Sequence, residues 1–265
     1  MKYDEFKKRV TKHLGKYMEK NLGIKEDGLF KNKEYGHVLS DELVAENFIG
    51  ETYPLYEKYC PNKELPVYSN HLNSSQVMGM NFFLPLLENR DILNRVVEKI
   101  IGKEEGTLTD LVTVDFEHRC GQDEKTEIDL FLEYANGIRI FFEMKYSENG
   151  YGIFSGFNRD EVWDNKYSNF IANSLYLKNL TKEEFFYDYQ INRNIGMINS
   201  LKDYAVFILP YDNESLIKEI TKFNYNNVKT VDWNYLAYYV YNLVVGKNRE
   251  LENHYREFIL KYLEY

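Results

Sequence analysis

Cysteine is almost missing from this chain of 265 residues, and the two present, Cys60 and Cys120, form no metal-binding or redox motif. That scarcity suits a reducing compartment rather than a disulfide-built secreted scaffold. No uninterrupted apolar run approaches the roughly 18 residues of a membrane span. The N-terminal Met-Lys-Tyr-Asp-Glu-Phe-Lys-Lys carries charge where a secretion signal is apolar, so the expectation is a cytoplasmic protein with no membrane partner. Positive charge is in deficit as well. The 33 Lys and Arg against 42 Asp and Glu leave a net charge of −9. This excludes coating nucleic acid by bulk electrostatics, but not a local site that touches a polyanion. The Gly-x-Ser-x-Gly elbow of a hydrolase triad is absent, as are a Walker A loop, a Gly-x-Gly-x-x-Gly fingerprint and zinc-ligand spacing. His13, His37, His71, His118 and His254 are scattered and read as structural or exposed.

What is there is a foldable chain, 44% hydrophobic and 16% aromatic. Its 24 tyrosines invite a stacking-platform reading. Lysine far exceeds arginine, however, and Asn, Ile and Phe are plentiful, so AT-rich codon usage explains the tyrosines and they decide nothing. Helical spacing of Phe6, Val10, His13, Leu14 and Tyr17 predicts a helix over 1–20, whose Lys7, Lys8, Lys12 and Lys16 read first as a solvated face and second as a local phosphate contact. Residues 21–72 read as loops and short helices packed on the core. Asn73-Ser74-Ser75 starts a helix with an apolar stripe from Val77 to Leu87, and a second helix over 92–101 ends at Gly102. Strands are expected at 111–119, 126–134 and 138–146, then long helices at 158–178 and 182–201. A buried strand at 204–210, a helix at 213–223, a strand at 228–231 and helices at 233–245 and 248–263 finish the chain. This order indicates an α/β (α+β) fold: a mixed central sheet flanked by helices, with an N-terminal helical extension and C-terminal helices. Residues 1–72 are expected to be an extension packed on a domain spanning 73–265.

The two strands joined by Ala135-Asn136-Gly137 carry the chemistry. The first alternates Ile128, Leu130, Leu132 and Tyr134 with Glu127, Asp129, Phe131 and Glu133. The second alternates Ile138, Ile140, Phe142 and Met144 with Arg139, Phe141, Glu143 and Lys145. A two-residue Asn-Gly turn would pair Asp129 with Met144 and mix charged with apolar side chains on one face. A three-residue loop with Gly137 left-handed pairs Asp129 with Glu143 instead, leaving one face wholly apolar. On the other face Glu133 meets Arg139, Phe131 meets Phe141 and Glu127 meets Lys145, all favourable. Only Asp129 and Glu143 set like charges in opposition, and a divalent cation between them reverses the sign of that interaction. An antiparallel strand before them, reached through the 120–125 loop, can bring Glu117 beside Asp129. Such a cluster suits a hard, oxygen-ligated ion such as Mg²⁺.

This arrangement resembles the PD-(D/E)XK nuclease superfamily, with Asp129 as the motif's acid and Glu143-Met144-Lys145 as its Glu-X-Lys. The strand–turn–strand setting, the 14-residue spacing and the order of elements carry the resemblance. The customary Pro before the acid is Ile128 here. Ser74-Ser75-Gln76, Asn81-Phe82-Phe83, Glu117, Lys145-Tyr146-Ser147-Glu148 and Tyr189-Gln190-x-x-Arg193-Asn194 are similar to the putative restriction-endonuclease-like branch. The similarity covers roughly 73–210.

The resemblance implies a restriction-endonuclease-like core and a Mg²⁺-dependent phosphodiesterase, with Mn²⁺ as a substitute. The implied substrate is nucleic acid, foremost DNA, cut in restriction or phage defence, with a homodimer among the arrangements allowed. Asp129, Glu143 and the Met144 backbone carbonyl would hold the metal, and Lys145 would orient the attacking water. Glu117 and Gln190 complete the catalytic set, while Gln76, Arg193 and Tyr146 would contact substrate. On a helix, Gln190, Arg193 and Asn194 share one face. Two rivals stand beside this reading: a catalytically inactive nucleic-acid- or protein-binding member of the fold, and a nuclease acting on RNA or branched DNA.

Overall fold

The computed structural model describes residues 1–119, 127–156 and 158–265. The first helix, α1 (Tyr3–Asn21), buries Phe6, Val10, Leu14, Tyr17 and Met18 along one stripe, with Asp4 and Glu5 at its positive end and Lys20 at its negative end. In the stretch expected to hold only loops and short helices, a hairpin forms. Strands β1 (Gly28–Phe30) and β2 (Lys33–Tyr35) are joined by Lys31 and Asn32, both left-handed (φ 50° and 62°), which matches the twist of a two-residue hairpin. A 3₁₀ turn over Asp41–Asn47 and helix α2 (Thr52–Tyr59) follow.

Helix α3 (Ser75–Leu87) starts where the Ser74 hydroxyl accepts a hydrogen bond from the Val77 N–H, and every residue from Val77 to Leu87 is buried. Helix α4 (Arg90–Ile101) stops at left-handed Gly102. The main sheet then runs β3 (Leu111–His118), β4 (Ile128–Tyr134), β5 (Arg139–Met144), β6 (Asp203–Leu209) and β7 (Val228–Asp232), in that spatial order. The β3, β4 and β5 pairings are antiparallel, and those of β5, β6 and β7 are parallel. A mixed five-stranded sheet flanked by helices, with helical termini, is the restriction-endonuclease-like architecture expected. Thr126 and the 120–125 loop lie outside the described residues.

Each face of the sheet has its own cover. Phe116, Leu130, Leu132, Ile140, Phe142 and Met144 join one core with α1, α3 and α4 and with the C-terminal helices α10 (Trp233–Val244) and α11 (Arg249–Tyr262). Leu39, Phe48, Tyr56 and Leu72 enter the same core, so the first 72 residues share it with α3 and α11. Close approach of α3 depends on Gly79, where a Cβ would collide with the Met144 thioether. The opposite face, carrying Ala205, Phe207 and Leu209, packs against residues of the β5–β6 crossover and of α9 (Glu214–Ile220).

The crossover departs from expectation. In place of a long helix at 158–178, a shorter continuous helical run passes from α5 (Arg159–Val162) through a π turn over Trp163–Tyr167 into α6 (Ser168–Ala172). The one at 182–201 divides into α7 (Lys182–Tyr187) and α8 (Tyr189–Gly196), because Asp188 leaves helical geometry (φ −111°, ψ 50°). Tertiary packing overrides helical propensity here. The break lets Ile191 join Phe185, Phe186 and Tyr189, which already share one helix side, in one aromatic-rich core. Among the described residues no helix is long and apolar enough to cross a membrane.

Candidate active site

The turn between β4 and β5 sets the geometry of the site. Gly137 is left-handed (φ 80°), the Tyr134 N–H donates to the Ile138 carbonyl at 2.9 Å, and three residues form the loop. Phe131 therefore pairs with Phe141 and Glu133 with Arg139, the register read from the alternation. The two phenyl rings stack with centroids 5.1 Å apart. Regular pairing ends at Leu130 and Phe142. Beyond it the Met144 N–H donates to Asp129 Oδ2 at 2.6 Å, so a carboxylate has taken the place of a ladder carbonyl.

Glu143 sits at the centre, only 2% exposed. Its Oε1 accepts from Lys145 Nζ at 2.9 Å and from Gln190 Nε2 at 2.7 Å. Its Oε2 accepts from Asn194 Nδ2 at 2.6 Å, with the Arg193 guanidinium 3.7 Å away. Arg193 is buried and donates to the Glu127 carbonyl at 3.0 Å, tying α8 to the start of β4. Gln190 is itself anchored, since its Oε1 accepts the Gly152 N–H at 2.6 Å. The Lys145 main chain is held on both sides. Its N–H donates to the Ile208 carbonyl, and its carbonyl accepts the Trp233 indole N–H at 2.8 Å. Pro210 follows on the parallel strand and has no N–H to offer, so the indole supplies the missing donor.

Electrostatics follow from this crowding. Burial first, and then the Glu143 charge, push the Asp129 carboxyl well above the usual carboxylate range, against the pull of Lys145 and the Met144 N–H. Burial opposes the Lys145 charge, yet Glu143, Glu148 and Asp129 outweigh it and hold the ammonium protonated above its ordinary range. Glu148 is fixed by the Tyr146 N–H at 2.6 Å and by the Ser75 hydroxyl at 2.5 Å.

Glu117 lies between the pairs Phe116–Leu130 and His118–Ile128, opposite Asp129 in the ladder. Its backbone is left-handed (φ 53°), uncommon for a residue with a side chain, and its carboxylate accepts Gln76 Nε2 at 2.9 Å. Burial and then Glu127 raise its pKa from 4.5 to about 7. Glu117 and Gln76 thus pair with each other. Glu117 lines a neighbouring cleft of about 540 Å³ with Lys63, Asp115, His118 and Glu127. There Lys63 Nζ lies 2.6 Å from Asp115 Oδ1, and His118 Nδ1 lies 2.7 Å from Asp115 Oδ2.

Asp129, Glu143, Lys145, Gln190 and Arg193 are therefore brought together, and Glu117 with Gln76 forms an adjoining pair; Arg193, however, was expected to contact substrate, and its side chain is instead buried and engaged by Glu143, Asn194 and the Glu127 carbonyl. Tyr146 requires a correction. It was expected to contact substrate, but it is fully buried in the opposite core, with its hydroxyl donating to the Tyr262 carbonyl at 2.7 Å. The strand alternation itself places it with Met144 on the apolar face. Asn194 and Glu148 were marked by the sequence as neighbours of the site without a stated role, and Lys63 was not singled out. For Asn194 the signal was present, since it follows Gln190 by four on a helix. Lys63 comes from a distant loop and no local pattern marks it.

Asp129 and Glu143 offer anionic oxygens, the donor type of a hard divalent cation, and their mutual repulsion is the deficit such a cation offsets. Met144 would add its backbone carbonyl. Among the described residues no three His, Cys, Asp or Glu side chains converge as a metal-binding group. No curated protein and no solved structure matches the chain. An acid pair and a lysine at the ends of adjoining strands, on a mixed sheet between helical layers, now stand beside one positive comparison. The family model described as Restriction Endonuclease associating with ARP matches residues 11–263, and the chain belongs to that family.

Proposed function

We propose that the protein is a metal-dependent nuclease that hydrolyses phosphodiester bonds of nucleic acid, foremost a DNA endonuclease of restriction or phage-defence type. One observation carries the reading: Asp129 and Glu143 lie close enough to repel each other, beside a largely buried ammonium that bonds one of them. Asp129, Glu143 and the Met144 carbonyl would hold Mg²⁺ or Mn²⁺, which supplies polarisation of a phosphoryl oxygen and activation of water. Lys145 keeps its proton, so it acts by donating to the attacking water and by countering charge on the phosphoryl group, not as a base. Gln190 and Asn194 hold the Glu143 carboxylate in place. Arg193 adds positive charge behind it, and Glu117 with Gln76 borders the approach. The family's description adds an association with ARP, and we read the working form as a nuclease acting beside that component.

A second reading has its own observation. Both oxygens of Glu143 already accept hydrogen bonds from the chain, and the Glu117 carboxylate bonds Gln76, as a binding protein without catalysis would allow. One experiment separates the two. The purified protein is incubated with plasmid, linear and single-stranded DNA and with RNA, with and without Mg²⁺ or Mn²⁺, beside a Lys145→Ala control. Metal-dependent cleavage that the control lacks is the expected result. Absence of cleavage on every substrate, or equal cleavage by the control, leaves the binding-protein reading.

A further inference from the structure

A cavity of about 380 Å³ opens beside the site, lined by Tyr3, Lys7, Tyr68, His71, Asn73 and Gln76, with Ser147 and Glu148 at its edge. Its link to the chemistry is direct. Gln76 bonds Glu117, and Glu148 is one of the charges that hold the Lys145 proton. On the outer side, the β1–β2 hairpin adds Phe30, Tyr35 and His37. Phe30 and His71 meet edge-to-face with centroids 4.8 Å apart, and Tyr68 lies 5.2 Å from His71. Tyr68 keeps 49% of its surface exposed. Burial lowers the pKa of His71, and that of His37 to about 4, so both imidazoles are neutral ring faces near pH 7.

Exposed lysines stand beside these rings in a chain that is acidic as a whole. Lys7 and Lys33 are exposed, and Lys31 Nζ sits 5.1 Å from the centroid of Phe30. The acids nearby are Asp27, whose charge acts on His37, Glu34 on β2, and Glu148, which is engaged by Ser75 and the Tyr146 N–H. One polar group in the cavity lacks a partner. Asn73 Nδ2 donates to the Ser147 hydroxyl at 2.7 Å, but its Oδ1 is buried with no hydrogen-bond partner.

From this placement we infer that the cavity is a nucleobase subsite. It takes one unstacked base of a single-stranded or flipped-out nucleotide, adjacent to the bond that Lys145 serves. Tyr68 and His71 supply the faces on which the base stacks, Asn73 and Gln76 line the cavity beside it, and Lys7 with the hairpin lysines meets the flanking phosphates. Base stacking on an aromatic side chain is strong and tolerant of sequence, because every base has a π-face. The inference rests on the nuclease reading for the bond cleaved, but not for binding.

The test therefore reads binding, by fluorescence anisotropy of the full chain without divalent metal, using a labelled single-stranded oligonucleotide and a blunt duplex. Tyr68→Ala is expected to weaken single-strand binding at least about fivefold, while duplex affinity stays within about twofold. Lys7→Gln is expected to lower the single-strand salt slope by about 0.7, one phosphate contact. Unchanged single-strand affinity in Tyr68→Ala, or an equal loss for the duplex, overturns the subsite. Cleavage failing while these binding differences persist would count against the nuclease reading alone.

Discussion

Glu117 is the residue whose physics is most exposed to measurement. It combines a left-handed backbone, a hydrogen bond from Gln76 and a repelling neighbour in Glu127. Its pKa in the folded chain is about 7, against 4.5 for the free side chain, so between those values the folded state binds the proton and the unfolded state does not. Stability from this group is therefore full below about pH 4.5 and is lost as pH rises through 7. Glu117→Gln should flatten that slope, read as urea midpoints at pH 5 and pH 8. Equal slopes in parent and variant would contradict it. At the same scale, Gln190→Ala removes one of the two donors that hold Glu143 Oε1. If the site is catalytic, cleavage should fall about 10²-fold, in the range of a lost positioned donor, with little change in thermal midpoint. An unchanged rate would remove Gln190 from the site. Asp129, Glu143 and Lys145 were legible at this scale because their faces follow from alternation alone. The Gln76–Glu117 pair was not, since it forms between residues 41 apart.

At the scale of the element, the β4–β5 hairpin and the α3–β5 contact do the positioning. Gly137 at φ 80° lets three residues close the turn, and a Cβ there costs about 1–2 kcal/mol. Gly137→Ala should lower stability by about that amount in chemical denaturation. A neutral result would mean that the turn does not hold the register. Gly79 is a different case, because its constraint is space and not backbone. Gly79→Ala forces a methyl group against the Met144 thioether, and overpacking of this kind costs about 1–3 kcal/mol. Because Met144 lies between Glu143 and Lys145, activity should fall with stability, a coupling that Gly137→Ala shares only through register. The broken helix of the crossover shows where element-level reading stops. Helical spacing runs through 182–201, but Asp188 interrupts it, and Ile191, which an unbroken helix would turn away from Phe185 and Tyr189, enters the same core.

For the whole molecule, Lys261 on α11 connects distant parts. It is fully buried, donates to Asn47 Oδ1 at 2.8 Å, and lies among the rings of Tyr17 and Tyr262. Burial, opposed by Glu257, lowers its pKa from 10.5 to about 7. Between those values the unfolded chain binds the proton more strongly than the folded one, so stability climbs with pH across that window. Lys261→Met should flatten this rise, measured as urea midpoints at pH 7 and pH 9.5. A parallel rise in the variant would show that the slope has another source. The contact joins the first 72 residues to the C-terminal helix, so deleting residues 1–72 exposes the core that Phe6, Val10, Leu14 and Leu72 complete.

By itself, the sequence determined the order of the main-sheet elements, the mixed sheet and the β4–β5 register as far as Leu130 and Phe142. Each of these rests on short-range rules: alternation of period two, turn chemistry at a glycine, and capping at a serine. Even the burial of Tyr146 was available from parity, because it falls two residues after Met144 on the apolar face. The tertiary structure alone decided that Glu117 bonds Gln76, that Lys63 enters its cleft, that the second crossover helix breaks, and that the hairpin rings gather beside the site. Those outcomes depend on which distant element arrives where a strand ends and its ladder no longer dictates partners. There, long-range packing and the burial of charge choose among contacts that local pattern leaves equal.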